Sequence, residues 1–198
     1  KSMLATSLAT RLGINKVIST DSIREIMRLA FSNDLLPTLF HSTTEAWKGL
    51  PMEFQSSEQL IAGYCLQANQ VSLGVRAVVE RTVEEGDNLI VEGVHLVPFL
   101  HEIAKKETVD AYHIPITLSI MNEKHHRERF SERGTKNLRK IENFYLERFD
   151  GIRSIHEYTL TQCETDEVEV FDNEDLDETL NLIIQFSIQR LFKQVNSE

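Results

Sequence analysis

Four short runs of apolar and β-branched residues constrain this chain more than any other feature. They read "KVIST" around Val17, "NLIVEG" around Ile90, "HIPITLSI" around Thr117 and "VEVFDN" around Phe171. Stretches with apolar residues at helical spacing separate them. Strands joined by helical crossovers run parallel, and a parallel sheet is covered by helices on both faces. The class is therefore α/β. In such sheets ligands sit beyond the carboxyl ends of the strands. The places to look are Asp21 after the first run, Glu92 and Gly93 after the second, Met121 and Asn122 after the third, and Asp172 after the fourth.

The intervening segments set the helices. Leu4, Leu8 and Leu12 recur at helical spacing, and Gly13 is placed to end that helix. Asp21 is expected to cap a helix over "SIREIMRLAF". Between Pro37 and Pro51 the pattern breaks into loop and short turns. A long amphipathic helix is expected from Ser56 to Glu85, ended by Gly86, with enough apolar surface to serve a homodimer. Further helices are expected over Val97 to Lys106, Leu138 to Cys163 with a kink at Gly151, and Leu176 to Phe192. Pro115 belongs at the start of the third strand or at a bulge. With 198 residues and no repeat or Pro/Gly-rich linker, the whole chain 1–198 reads as one domain.

The formal net charge of −10 argues against a nucleic-acid polymer as partner. No run approaches the ~18 apolar residues of a membrane span. Cys65 and Cys163 have neither metal-ligand nor CxxC spacing and read as reduced thiols of a cytoplasmic protein. The charge is unevenly spread. Lys124 to Lys140 holds seven bases against two acids, whereas Glu164 to Glu178 holds nine acids and no Lys or Arg. Either run can be solvated surface; the basic one can also be a local anion site.

The chain opens Lys1-Ser2, directly ahead of an amphipathic helix. That arrangement matches the end of a Gly-rich phosphate loop, G-x-x-x-x-G-K-[ST]. In such a loop the Lys ammonium reaches the terminal phosphates, the Ser hydroxyl binds Mg²⁺, and backbone N–H groups hold phosphate oxygens. The glycines, and the central strand that leads into them, are not among these residues. A sheet without its central strand leaves edge groups unpaired, at about 1–3 kcal/mol each. The natural protein is therefore expected to extend upstream; the alternative is a relative that fills the gap in another way.

From "VISTDSIRE" onward the sequence resembles the archaeal-type 2-phosphoglycerate kinases, within the wider set of P-loop small-molecule kinases. "RLGINKVISTDSIREIMR", "HSTTEAW", "NLIVEGVHLVP" and "RFDGIRSIHEY" are similar to that family's segments, in order, from Lys1 to about Glu157. The resemblance implies a P-loop kinase fold and a cytoplasmic enzyme that uses ATP and Mg²⁺ to phosphorylate 2-phosphoglycerate, giving 2,3-bisphosphoglycerate. Within that reading Lys1 and Ser2 hold the nucleotide phosphates, and Ser2 and Glu92 hold Mg²⁺. Asp21 takes the acceptor's proton or orients metal-bound water, besides its expected capping role. Arg24, Gly93, His95 and Arg153 contact the acceptor. Arg24 can instead be a surface ion pair with Glu25, and His95 a satisfied structural residue. The segment at about 122–140, with Arg127, Arg129 and Arg133, is the lid that closes on the transferring group; the three arginines do not share one helical face. Trp47 and Lys48 are candidates for the acceptor pocket. Two other readings stay open: a kinase of a different phosphorylated acid, and a nucleotide-binding regulatory module that keeps the scaffold without catalysis.

Overall fold

A computed structural model describes residues 1–51, 58–99, 111–136 and 145–196. Its elements are α1 (Ser2–Leu12), β1 (Lys16–Ser19), α2 (Thr20–Ala30), α3 (Gln59–Glu84), β2 (Leu89–Glu92), β3 (Ile116–Ser119), α4 (Glu123–Lys136), α5 (Phe149–Thr165), β4 (Glu169–Asp172) and α6 (Leu176–Val195). Short 3₁₀ turns cover Pro37–Phe40, Thr43–Gly49 and Val94–Phe99. All four strands fall where the β-branched runs put them, and Pro115 directly precedes β3.

The strands are parallel, but the single sheet expected from the sequence is two sheets of two among the described residues. β1 pairs with β2, setting Ser19 opposite Glu92; β3 pairs with β4, setting Ser119 opposite Asp172. Helices cover both faces of each pair. Ile18 and Val91 pack into a cluster with Ile23, Met27, Val71 and Val75 of α2 and α3. Ile90 faces the other way, toward Leu4, Leu8, Leu180 and Ile183 of α1 and α6, and Ile116, Leu118 and Phe171 join that same cluster. Thr117 and Ser119, on the alternate face of β3, meet Cys163 and His156 of α5 at 3.1 and 2.8 Å. Among the described residues no backbone ladder joins the two pairs; side-chain packing under α1 and α6 does. At about 1.5–3 kcal/mol for each fully buried Leu or Ile, four such residues suffice to hold them together.

Several expectations change. Ser19, not Asp21, caps α2: its hydroxyl accepts from the Ser22 N–H at 3.0 Å. The helix starts one residue after the strand ends, so the cap falls on the last strand residue. α1 does end at Gly13, whose φ of 67° is left-handed. The helix expected over Leu138 to Cys163 is interrupted by a turn at Arg148, not kinked at Gly151, and α5 begins at Phe149. The start of that helix at residues 137–144, most of the one expected over Val97 to Lys106, and residues 56–57 lie outside the described residues; Val97 to Phe99 belong to a 3₁₀ turn.

A buried polar network joins the first two strand tips. Thr20 and Gln67 are fully buried and His95 is 1% exposed. Gln67 Nε2 donates to the carbonyls of Thr38 and His41, at 2.6 and 3.0 Å, which leaves its Oε1 to accept from His95 Nε2 at 3.1 Å. Thr43 Oγ1 lies 3.4 Å from the same nitrogen. With its proton on Nε2, His95 accepts at Nδ1 from the Thr20 hydroxyl, 2.9 Å away. Burial pushes its pKa from 6.5 down to about 4, Arg24 and Lys1 add to the shift, and Asp21 opposes it. Gly93 is what lets Thr20 in: a Cβ there would lie 1.8 Å from Thr20 Oγ1, and its φ of 149° belongs to glycine.

Two outcomes are expected. A Cβ on Gly63 would meet the backbone of Trp47 at 2.2 Å, and backbone cannot rotate away. Gly63→Ala should lower the unfolding free energy by about 3 kcal/mol, read from urea denaturation. Between about pH 6.5 and pH 4 the unfolded chain binds a proton at His95 that the folded one refuses. Stability should therefore fall as pH drops through that window, by about 3 kcal/mol from this group. Denaturation midpoints measured across it should show a shallower slope in His95→Gln.

Candidate active site at the strand tips

The carboxyl ends of the strands gather residues from distant parts of the chain. The Ser2 hydroxyl, at the start of α1, donates to Glu92 Oε1 at the tip of β2, 2.7 Å away. Parallel pairing puts the β1 tip beside it, and α2 leaves that tip carrying Asp21 and Arg24. The charges of Asp21, Arg24 and Lys1 all act on His95. Lys1 also acts on His126 of α4, together with Arg129 and Arg153. Lys1 is thus near enough to both histidines for its charge to be felt at each.

On the β1 side, Arg24 donates through NH1 to the His41 carbonyl at 3.0 Å and through NH2 to Glu25 Oε1 at 3.1 Å. The His41 carbonyl also accepts from Gln67, so Arg24 is wired to the His95 network. Asp21 is exposed. Gly93 serves the close contact with Thr20, and both ring nitrogens of His95 are engaged by protein groups. The ion pair of Arg24 with Glu25 and the satisfied state of His95 were the plainer readings of those residues.

On the other side, Arg153 NH1 donates to the Ile120 carbonyl, just past β3, at 3.0 Å. Asp172 Oδ1 accepts from the Met121 N–H at 3.1 Å, tying the β4 tip to the turn after β3. The arginines of α4 diverge. Arg127 lies over the Phe149 ring at 4.1 Å, while Arg129 NH2 donates to the Glu174 carbonyl at 2.7 Å. The Arg133 side chain and residues 137–140 lie outside the described residues.

Sequence reasoning missed several members. Glu45, within "HSTTEAW", receives Lys48 at 2.6 Å, Ser42 at 3.0 Å and Arg148 at 3.1 Å. The Lys48 bond, with help from Ser42 and Arg148 and against partial burial, holds its carboxyl down to about 2. Lys48 also lies 5.8 Å from the Trp47 ring centre. Arg148 was visible only as one charge among many. Thr20 and His156 lie inside quoted segments without being singled out, and Gln67 carries no motif at all. His126 lies in the basic segment at about 122–140, whose arginines drew the attention instead.

The donor set suits a hard cation held jointly by protein and phosphate. Ser2 and Glu92 offer two oxygens side by side, the ligand type that Mg²⁺ takes while keeping waters and phosphate oxygens for its remaining positions. Such a site needs no all-protein cage, and among the described residues no group of three His, Cys, Asp or Glu is spaced to hold a metal. No helix there is long and apolar enough to cross a membrane.

No family model and no solved structure matches the chain. Curated proteins do. A protein of Methanopyrus kandleri named 2-phosphoglycerate kinase is 37% identical over 195 residues, 97% of this chain and 58% of its own length. Proteins of the same name from Methanocaldococcus jannaschii and Pyrococcus horikoshii are each 36% identical, over 100% and 96% of this chain and 62% and 61% of their own lengths. The chain thus spans about three-fifths of the length of the curated relatives it matches. Over nearly all of its own residues, this chain is similar to the archaeal proteins named 2-phosphoglycerate kinase.

Proposed function

We propose that the protein is an ATP-dependent kinase that phosphorylates 2-phosphoglycerate, and that these residues form the larger part of its catalytic domain. The observation that carries the reading is the contact of Ser2 with Glu92. It sets the hydroxyl of a Lys-Ser pair, at the head of a helix, against a carboxylate at a strand tip. P-loop kinases hold Mg²⁺ and the terminal phosphates with such a pair. The curated relatives' names supply the acceptor.

Phosphoryl transfer asks the protein mainly for positioning and charge neutralisation. Lys1 and the first N–H groups of α1 would hold phosphate oxygens, and Ser2 and Glu92 would hold Mg²⁺, which neutralises charge on the β- and γ-phosphates when bound. Asp21, exposed in the first turn of α2, would accept the proton of the acceptor hydroxyl or orient metal-bound water. Arg24 retains N–H groups beyond those given to His41 and Glu25, and a guanidinium is suited to a carboxylate or phosphate of the acceptor. Arg153, at the β3 tip, is a second anion ligand. Arg127, Arg129 and Arg133 belong to a lid that excludes water from the transferring group. Gly93 and His95 act from behind, by fixing Thr20 and hence the path of α2 away from the site.

The same reading completes the sheet. The two parallel pairs would be parts of one P-loop sheet. The shared cluster of Ile90, Ile116 and Leu118 beneath α1 supports this.

The test is ADP release by the full-length protein over a panel of phosphorylated acids. Turnover should be greatest with 2-phosphoglycerate; equal rates with every acid, or none with any, would remove the assignment. Glu92→Gln should lower kcat by about 100-fold or more and raise the Mg²⁺ concentration needed for half-maximal rate. Arg24→Ala should raise KM for the acceptor about tenfold while ATP binding stays within about twofold. Equal loss of both would take Arg24 out of the acceptor site.

A further inference from the structure

His126 is the residue of this region that neither the fold nor the proposed transfer uses. Its ring is packed on three sides: 5.2 Å from Phe130, 5.5 Å from Phe149 and 5.9 Å from His156, centre to centre. Its Nδ1 is buried and has no hydrogen-bond partner among the described residues. A buried polar atom in a native protein is normally paired. The groups around it carry positive charge. Arg129 comes from its own helix, Arg153 and His156 from α5, and Lys1 from the head of α1. Among the described residues Arg129 and Arg153 bond to backbone carbonyls, at Glu174 and Ile120, and a carbonyl does not cancel their charge. Arg127, the remaining arginine near this packing, lies on Phe149 and 3.6 Å from Glu123. The acids of the neighbourhood, Asp172 and Glu157, act on His156.

We infer that His126 joins Lys1, Arg129 and Arg153 in a phosphate-binding focus, and takes up a proton from solvent when a phosphate-bearing anion enters. Three elements that are distant in sequence bring cationic groups together around an unpaired buried nitrogen, and an anion is the ligand that would offset them. Without the anion, burial and then the charges of His156, Arg153, Arg129 and Lys1 push the His126 pKa down to about 4. An anion among the same cations offsets their field. By linkage, a ligand that raises a pKa binds more tightly where the group is charged. This inference rests on the reading of the cleft as a phosphate site, but not on which acceptor is phosphorylated.

Sulfate is the probe, because it mimics a phosphoryl group and does not itself titrate near neutrality. The His126 ring resonance, assigned by its loss in His126→Phe, is followed by NMR across pH with and without saturating sulfate. The midpoint should move up by about two pH units on adding sulfate, and sulfate should bind about tenfold more tightly near pH 5 than near pH 8. His126→Phe, which keeps the ring packing, should abolish that pH dependence; His126→Gln serves if the Phe variant does not fold. A midpoint unmoved by sulfate, or a pH dependence that survives both substitutions, overturns the inference. ADP release with 2-phosphoglycerate is measured alongside. Proton-linked sulfate binding without phosphoryl transfer would retain the anion site and sink the kinase reading; transfer with an unmoved His126 midpoint would do the reverse.

Discussion

The contact of Gly93 with Thr20 is the constraint on which the rest of the site depends. Both strand tips of the first pair must turn at once, β1 into α2 and β2 into the Val94–Phe99 turn. Thr20 is the first residue of α2 and is fully buried, so its side chain fills the space where a residue-93 Cβ would stand. The Thr20 hydroxyl then has one partner, His95 Nδ1, and the chain of donors runs on through Gln67 to the carbonyls of Thr38 and His41. Arg24 closes the circuit at the His41 carbonyl. The consequence is positional. Asp21 follows Thr20, Glu92 precedes Gly93, and locking the two inner residues together sets the two carboxylates on neighbouring tips. Ser2 meets Glu92 there.

Electrostatics divides the site in two. Around His95 the protein engages both ring nitrogens, the Thr20 hydroxyl and the Gln67 amide internally, so burial yields a neutral imidazole and rigidity. Around His126 burial is partial, one nitrogen has no partner among the described residues, and the charges that act on it are those of cations. The first arrangement is stable as it stands; the second is complementary to something negative. A buried unpaired polar atom costs about 1–3 kcal/mol. A protein tolerates that at a position which a ligand will complete.

The sequence was most legible where local chemistry decides. Four β-branched runs became four strands, and Gly13 became a left-handed cap, because both depend on near neighbours in the chain. The pairing of β1 with β2 and β3 with β4 was readable as parallel from the crossovers alone. Where tertiary packing decides, the reading failed. The Asp21 cap lost to Ser19 because Thr20 is drawn inward by His95 and Gly93, which are more than seventy positions away. The turn at Arg148 was invisible, since its guanidinium reaches back to Glu45 across 103 positions. His95 and Gly93 were picked out for proximity to a strand end, and their packing roles follow from the same proximity.

The acidic stretch, read from sequence as no more than a solubilising surface, supplies contacts to the basic one. Glu174 accepts from His125 at its carboxylate, 3.2 Å away, and from Arg129 at its carbonyl. Asp177 meets Arg11 at 3.4 Å. These pairs are about half exposed or more, and exposed pairs contribute about 0–1 kcal/mol and weaken with salt. The aromatic contacts of α4 compare well with that: Phe130 stacks on Tyr145 at 5.1 Å and meets Phe149 edge-on at 6.2 Å, and Arg127 lies over Phe149. Ring pairs are worth about 0.5–1.5 kcal/mol each beyond the area they bury, and a cation over a ring about 0.5–2 kcal/mol. The seat of α4 on α5 is therefore mainly apolar and salt-insensitive, whereas its basic face is held only loosely by acids. That division leaves the guanidinium of Arg129 able to exchange a carbonyl for a stronger anionic partner without unseating the helix that carries it.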